Sequence, residues 1–194
     1  MEKNITYFEK YGSINTDKVL KLAKERFNEL DLKHVIIASS SAETAVKALK
    51  YFKSEELCVV SSMYGYREPG KHSLSEKNLE ILKKSGIRII FQTHIFSGIE
   101  IAINKLYGGI SFAQYTSNIF KMIGHGFKVC AEITIMAADA GYIPINREVI
   151  SIGGNKRGAD TALVITPAHS NNFFDMQFKE IICMPRERRV IIKY

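Results

Sequence analysis

The stretch His34-Val35-Ile36-Ile37-Ala38-Ser39-Ser40-Ser41-Ala42-Glu43-Thr44-Ala45-Val46-Lys47-Ala48-Leu49 joins three kinds of sequence without a break. Val35 to Ala38 is an apolar, β-branched run too short for a helix, which predicts a strand buried on both faces. Three serines follow, and then Ala42, Ala45, Val46, Ala48 and Leu49 set apolar residues at helical spacing. Strand, hydroxyl-rich loop and helix in that order make a place to hold an anion. The first N–H groups of a helix have no intrahelical partner, its dipole favours negative charge, and Ser39, Ser40, Ser41 and Thr44 add hydroxyl donors. The competing reading gives Ser40 or Ser41 only a capping role, with Glu43 or Thr44 completing the turn.

On the amino-terminal side of this stretch, Asn15 and Thr16 offer a helix start before Val19, Leu20, Ala23, Phe27 and Leu30, while Met1 to Ile14 reads as an ordered arm. On the other side, Leu57 to Ser61 is a second buried-type strand. A polar loop from Ser62 to His72 follows, containing Tyr64, Tyr66 and Arg67. Ser73 and Glu76 match a capping box for a helix through Leu79, Ile81 and Leu82 that stops at Gly86. Ile87 to Gln92 is a third strand, running into Thr93-His94-Ile95-Phe96-Ser97-Gly98. Three strand–loop–helix passes with apolar strands predict a parallel sheet covered on both faces. Right-handed crossovers then bring Ser39 to Thr44, Ser61 to Arg67 and Thr93 to Gly98 together at one edge, where such sheets bind ligands.

The middle of the chain is helical: Ile99 to Leu106, Phe112 to Ile123 and Phe127 to Ala140 carry apolar residues at three and four spacing, broken at Gly108-Gly109 and Gly124-His125-Gly126. Val149 to Ile152 resumes strand character. The loop Gly153-Gly154-Asn155-Lys156-Arg157-Gly158-Ala159-Asp160-Thr161 then lets backbone approach a ligand at its glycines, offers two cations, and places the Asp160 carboxylate where it can take a hydroxyl. It matches neither the Walker loop nor the dinucleotide fingerprint, and its alternative reading is a flexible inter-strand connection. Ala162 to Thr166 is a strand, Pro167 to Asp175 a polar stretch, and Phe178 to Met184 and Arg189 to Lys193 are strand candidates for a sheet edge.

Composition narrows the function. With 46% hydrophobic and 24% charged residues in 194, the chain reads as a single soluble domain over residues 1–194. The net charge of +7 is spread along the chain, with Arg186, Arg188 and Arg189 as its densest cluster, so it suits anionic ligands rather than nucleic acid. Three cysteines, Cys58, Cys130 and Cys183, sit far apart in apolar runs, which gives no disulfide framework and fits a reducing cytoplasm. No apolar run approaches a membrane span, and no targeting sequence opens the chain. No Gly-x-Ser-x-Gly elbow supports a serine triad, and His125, Cys130 and Glu132 match no familiar metal spacing. Tyr64 and Tyr66, in a rim loop, are placed to stack on a flat ring.

Several segments are similar to a known family. Asn15-Thr16, Lys24-Glu25-Arg26, Val35 to Ser41 with Glu43-Thr44-Ala45, and Gly158-Ala159-Asp160-Thr161-Ala162 resemble the stand-alone proteins related to the carboxy-terminal domain of pyruvate kinase. Pro167 to Asp175 and Cys183-Met184-Pro185-Arg186 look like its mainly prokaryotic branch. The resemblance implies an α/β fold, a three-layer α/β/α sandwich whose mixed, mostly parallel sheet has one strand reversed. It implies a phosphate at Ser39, Ser40, Ser41 and Thr44, and a phosphorylated planar cofactor, flavin mononucleotide (FMN) foremost. Tyr64, Tyr66 or Phe96 would then flank the ring, Arg67, Thr93 and His94 would lie in the converging loops, and Gly153, Gly154, Gly158, Asp160 and Thr161 would meet the ribityl hydroxyls or ring edge. Two positions depart from the kinase pattern. Ala42 stands where glycine is usual, and Glu43 replaces a basic residue, a carboxylate that would repel a second phosphate. The length leaves no room for a catalytic barrel, so kinase activity is not expected. Two further readings stay open, a regulatory sensor of a sugar phosphate or nucleotide, and a hydrolase or isomerase using His94 or His169. The expected partners are a phosphorylated small molecule and a second copy of the chain.

Overall fold

Short β-branched runs alternating with amphipathic segments build, in chain order, β1 (Thr6–Phe8), α1 (Thr16–Glu29), β2 (Val35–Ala38), α2 (Glu43–Ala48), β3 (Leu57–Ser62), α3 (Glu76–Lys84) and β4 (Arg88–Gln92). They continue through α4 (Ile99–Tyr107), α5 (Phe112–Ile123), α6 (His125–Asp139), β5 (Val149–Gly153), β6 (Thr161–Thr166) and β7 (Gln177–Pro185). This is a computed structural model, and it describes residues 2–155 and 158–187. Seven strands form one sheet in the order β1-β7-β6-β5-β2-β3-β4. β6 runs antiparallel to both β5 and β7, and the other pairings are parallel, so the sheet is mixed with one strand reversed.

The strands lack polar alternation because both faces are covered. Val35, Ile37, Leu57 and Val59 point to one side and pack with Val19, Leu20 and Phe27 of α1, Ala45 and Ala48 of α2 and Leu82 of α3. Ile36, Cys58, Val60 and Ile90 point to the other and pack with Ile133, Met136 and Ala137 of α6. α6 is thus nearly enclosed, and α5 lies outside it across a cluster of Phe120, Phe127, Phe173 and Phe178.

Local reading and structure differ at the termini of elements. The arm contains β1, whose Thr6 to Phe8 pair with Cys183 to Pro185, so β7 lies inside the sheet rather than at its edge. That pairing joins segments near opposite ends of the chain, which no local pattern encodes. Asn15 makes no side-chain cap, and the Thr16 hydroxyl instead accepts the Ala159 N–H at 3.1 Å, tying α1 to the loop before β6. The cap of α3 is Ser75, accepting from the Asn78 N–H at 3.3 Å, not Ser73, and Glu76 is the first helical residue. The strand expected at Arg189 to Lys193 lies outside the described residues.

Candidate functional site

The parallel register sets Ala38 opposite Val60, so β2 and β3 end side by side and their hydroxyls are brought together at the carboxyl edge. The Ser39 N–H still donates to the Val60 carbonyl at 3.0 Å. The chain then leaves the sheet, turning at Ala42, which is fully buried in the left-handed region at φ 66°. This conformation explains why glycine is the easier residue there, since a side chain in it is strained. The expected cap by Ser40 or Ser41 is absent. Ser39 Oγ instead reaches past both to accept the Ala45 N–H at 3.3 Å. The N–H groups of Ser40, Ser41, Glu43 and Thr44 find no partner among the described residues. Neither does Ser61 Oγ, on a residue only 2% exposed.

Ser39, Ser40, Ser41, Thr44 and Ser61 line a cavity of about 240 Å³. One wall is Ser39, Ser40, Ser41, Thr44, Ser61 and Ser62, and the rim carries Tyr66, Arg67 and His94. The opposite wall is Glu132 of α6 with Val129 and Ile133, and Gly154, Asn155 and Gly158 close the remaining side. Glu132 is 2% exposed. Lys128 Nζ donates to its Oε2 at 2.7 Å, the Phe96 N–H to its Oε1 at 3.3 Å, and His94 Nδ1 lies 3.4 Å from Oε2. Burial works against the charge, but His94 and Lys128 outweigh it and hold the carboxyl down at about 2. His94 in turn stacks on Tyr66, with ring centres 5.3 Å apart and 11° between planes. The cavity therefore has a donor-rich, uncharged wall facing a fixed carboxylate, with a cation at the Arg67 rim.

All three converging loops contribute, through Ser39, Ser40, Ser41, Thr44, Arg67 and His94, and the glycine loop contributes Gly154 and Gly158. The other expected residues lie elsewhere. Glu43 is exposed on the first turn of α2, and Thr93 is exposed next to His94. Tyr64 packs on His72 and Phe91, and Phe96 is buried against Phe120 and Phe173. Gly153 lies where a Cβ would come within 2.7 Å of the Gly126 carbonyl, so it serves the close approach of β5 and α6. Asp160 is fully buried: its carboxylate accepts the Gly12 N–H at 2.8 Å and the Thr161 hydroxyl at 2.9 Å, and burial raises its pKa. Lys156 and Arg157 lie outside the described residues. His169 sits 3.2 Å from Asp139 at the end of α6 and does not line the cavity. Among the described residues no three of His, Cys, Asp and Glu are grouped to hold a metal, and Cys130 donates to the Ser151 carbonyl.

Glu132 and Asn155 were not expected in the cavity. The signal for Glu132 was present as the single carboxylate inside the apolar run of α6 before its last residue, a position that calls for buried partners.

The sequence model of the pyruvate kinase alpha/beta domain matches residues 17–165. Among solved structures, a pyruvate kinase from Cryptosporidium parvum is similar at 13% identity and a TM-score of 0.40, covering 79% of this chain and 23% of that one. An NH3-dependent NAD synthetase from Campylobacter jejuni, in complex with the nitrate ion, is similar at 12% identity and 0.40, covering 73% of this chain and 55% of that one. The chain thus spans less than two thirds of either protein.

Proposed function

The chain belongs to the pyruvate kinase alpha/beta domain family, and from that premise we propose that the cavity beside β2 and β3 binds the phosphate of a small molecule, with FMN as the leading occupant. The observation that carries this reading is the hydroxyl-rich lining of Ser39, Ser40, Ser41, Thr44, Ser61 and Ser62, within which the buried Ser61 Oγ has no partner among the described residues. Leaving such a group unpaired costs about 1–3 kcal/mol. Phosphate oxygens would satisfy the hydroxyls of this wall together with the free N–H groups of Ser40, Ser41 and Thr44. Glu132 facing that wall disfavours a second phosphate, so a monophosphate fits better than a bisphosphate.

FMN meets these requirements in part inside and in part outside. The cavity of about 240 Å³ falls below the roughly 300 Å³ at which pockets enclose drug-sized ligands, which suits a phosphate and polyol chain. The ring system would rest at the rim, where Tyr66 is 50% exposed. When bound, the flavin would supply redox chemistry, while the protein supplies position and electrostatics. Arg67 adds positive charge at the mouth, and the Glu132–Lys128–His94 cluster sets an imidazole against the ligand.

That same cluster favours a second reading, acid–base chemistry on a phosphorylated metabolite with His94 as the proton carrier. A colourless sugar monophosphate sensed without turnover would use the phosphate wall alone. The deciding experiment is the visible absorbance of freshly purified protein, followed by denaturation and mass spectrometry of what is released. Flavin bands with the mass of FMN support the first reading. A colourless protein that takes up no added FMN but binds ribose 5-phosphate turns the site over to a sugar phosphate, and turnover lost in His94→Ala identifies the acid–base role.

A further inference from the structure

α4 has no buried residue along its nine positions, and the single buried residue of α5 is Ser117. The two helices are joined to each other by polar contacts rather than by a core: Asn104 Nδ2 donates to Gln114 Oε1 at 2.7 Å and the Ala113 N–H to Glu100 Oε2 at 3.1 Å. The inner side of α5 meets α6 through Phe120. Its outer side carries Phe112 (73% exposed), Tyr115 (58%), Ile119 (59%) and Met122 (67%). α4 adds Ile99 (79%), Ile103 (49%) and Leu106 (74%). A lone helix of this length is marginal in water, so α4 calls for cover.

We propose that this α4–α5 hairpin is a self-association face whose occupant is the same hairpin of a second copy. Three observations select that occupant. The exposed residues of α5 recur at three, four and three positions, and those of α4 at four and three, the spacing of helix-pair seams. Only Glu100, Lys105 and Lys121 are charged between Ile99 and Ile123, so two copies that each carry +7 can meet here without opposing like charges. These seven large apolar side chains on the two helices are each about half or more exposed, Ile103 at 49% being the least, an apolar surface of the scale of the roughly 800 Å² per partner in a standard stable interface rather than the few hundred usual on a monomer. A lipid surface fits less well, because interfacial helices set a Lys- and Arg-rich face toward headgroups, and the side of α5 away from the seam packs on α6.

Sedimentation of the full chain at micromolar concentration tests this. The expected result is a dimer, with Ile119→Glu and Leu106→Glu each weakening association about tenfold or more. Ile145→Glu, at an exposed apolar position off the hairpin, should leave it unchanged. Amide exchange of the unmodified protein provides a readout that needs no variant: α4 should gain exchange on dilution through the dimer dissociation range. A monomer at all concentrations with concentration-independent exchange in α4 overturns the proposal. So does co-sedimentation of a monomer with phosphatidylcholine–phosphatidylglycerol vesicles, which would assign the face to lipid.

Discussion

Ser61 and Glu132 face one cavity with opposite needs, and each leads to its own measurement. Ser61→Ala removes an unpaired buried hydroxyl, so thermal stability without ligand should hold or rise, while affinity for the phosphate-bearing ligand falls about tenfold. Calorimetric titration with FMN or ribose 5-phosphate beside a melting curve separates the two effects, and lowered stability with unchanged affinity would remove Ser61 from the phosphate wall. For Glu132, the folded protein holds the carboxyl at about 2 against an ordinary 4.5. The unfolded chain therefore takes up the proton first as pH falls, so the stabilisation is complete above the ordinary value and is lost on going down toward 2. Melting temperature measured across that acid range should drop in the native protein and more shallowly in Glu132→Gln. Asp160, whose pKa burial raises, acts with the opposite sign, favouring the fold fully below its ordinary 3.8 and losing that contribution as pH rises from there through its higher folded value.

Between elements, the loop leading into β6 is gripped by the arm and α1. Asp160 takes the Gly12 N–H, Thr16 takes the Ala159 N–H, and a Cβ on Gly158 would overlap Ser13. Arm, α1 and loop therefore lock into one unit behind the cavity wall formed by Gly154, Asn155 and Gly158. Asp160→Asn should destabilise the protein by about 1–3 kcal/mol in a denaturant titration, since a neutral amide is the weaker acceptor for the Gly12 N–H. The folded variant should keep most of its ligand affinity. The reverse pattern, unchanged stability with lost binding, would make Asp160 a ligand contact. From sequence alone, a carboxylate in a glycine-rich loop looks the same in either role, because its partner Gly12 lies 148 positions away.

For the molecule as a whole, the two faces of the sheet share their thiols with the core. Cys58, Cys130 and Cys183 are at most 3% exposed, and burial raises each pKa, to about 12 for Cys58 and Cys183. A thiol reagent at neutral pH should label none of them in the native protein and all three in denaturant. Rapid native labelling would mean that one face of the sheet opens well below global unfolding. No helix among the described residues is long and apolar enough to cross a membrane.

Sequence by itself determined the order of strand, loop and helix, the parallel arrangement of β2, β3 and β4, and the edge where their loops meet. Periodicity and β-branching are local, and three apolar strands separated by helices have few ways to bury both faces. Tertiary structure alone decided the pairing of β1 with β7, the absence of a partner for Ser61 among the described residues, the use of Asp160 as a clamp, and the entry of Glu132 into the cavity. Each depends on which distant group arrives beside a side chain. The same holds for α5: a three-and-four spacing says which residues share a face of a helix, but only packing against α6 determines that Phe112, Tyr115, Ile119 and Met122 look outward.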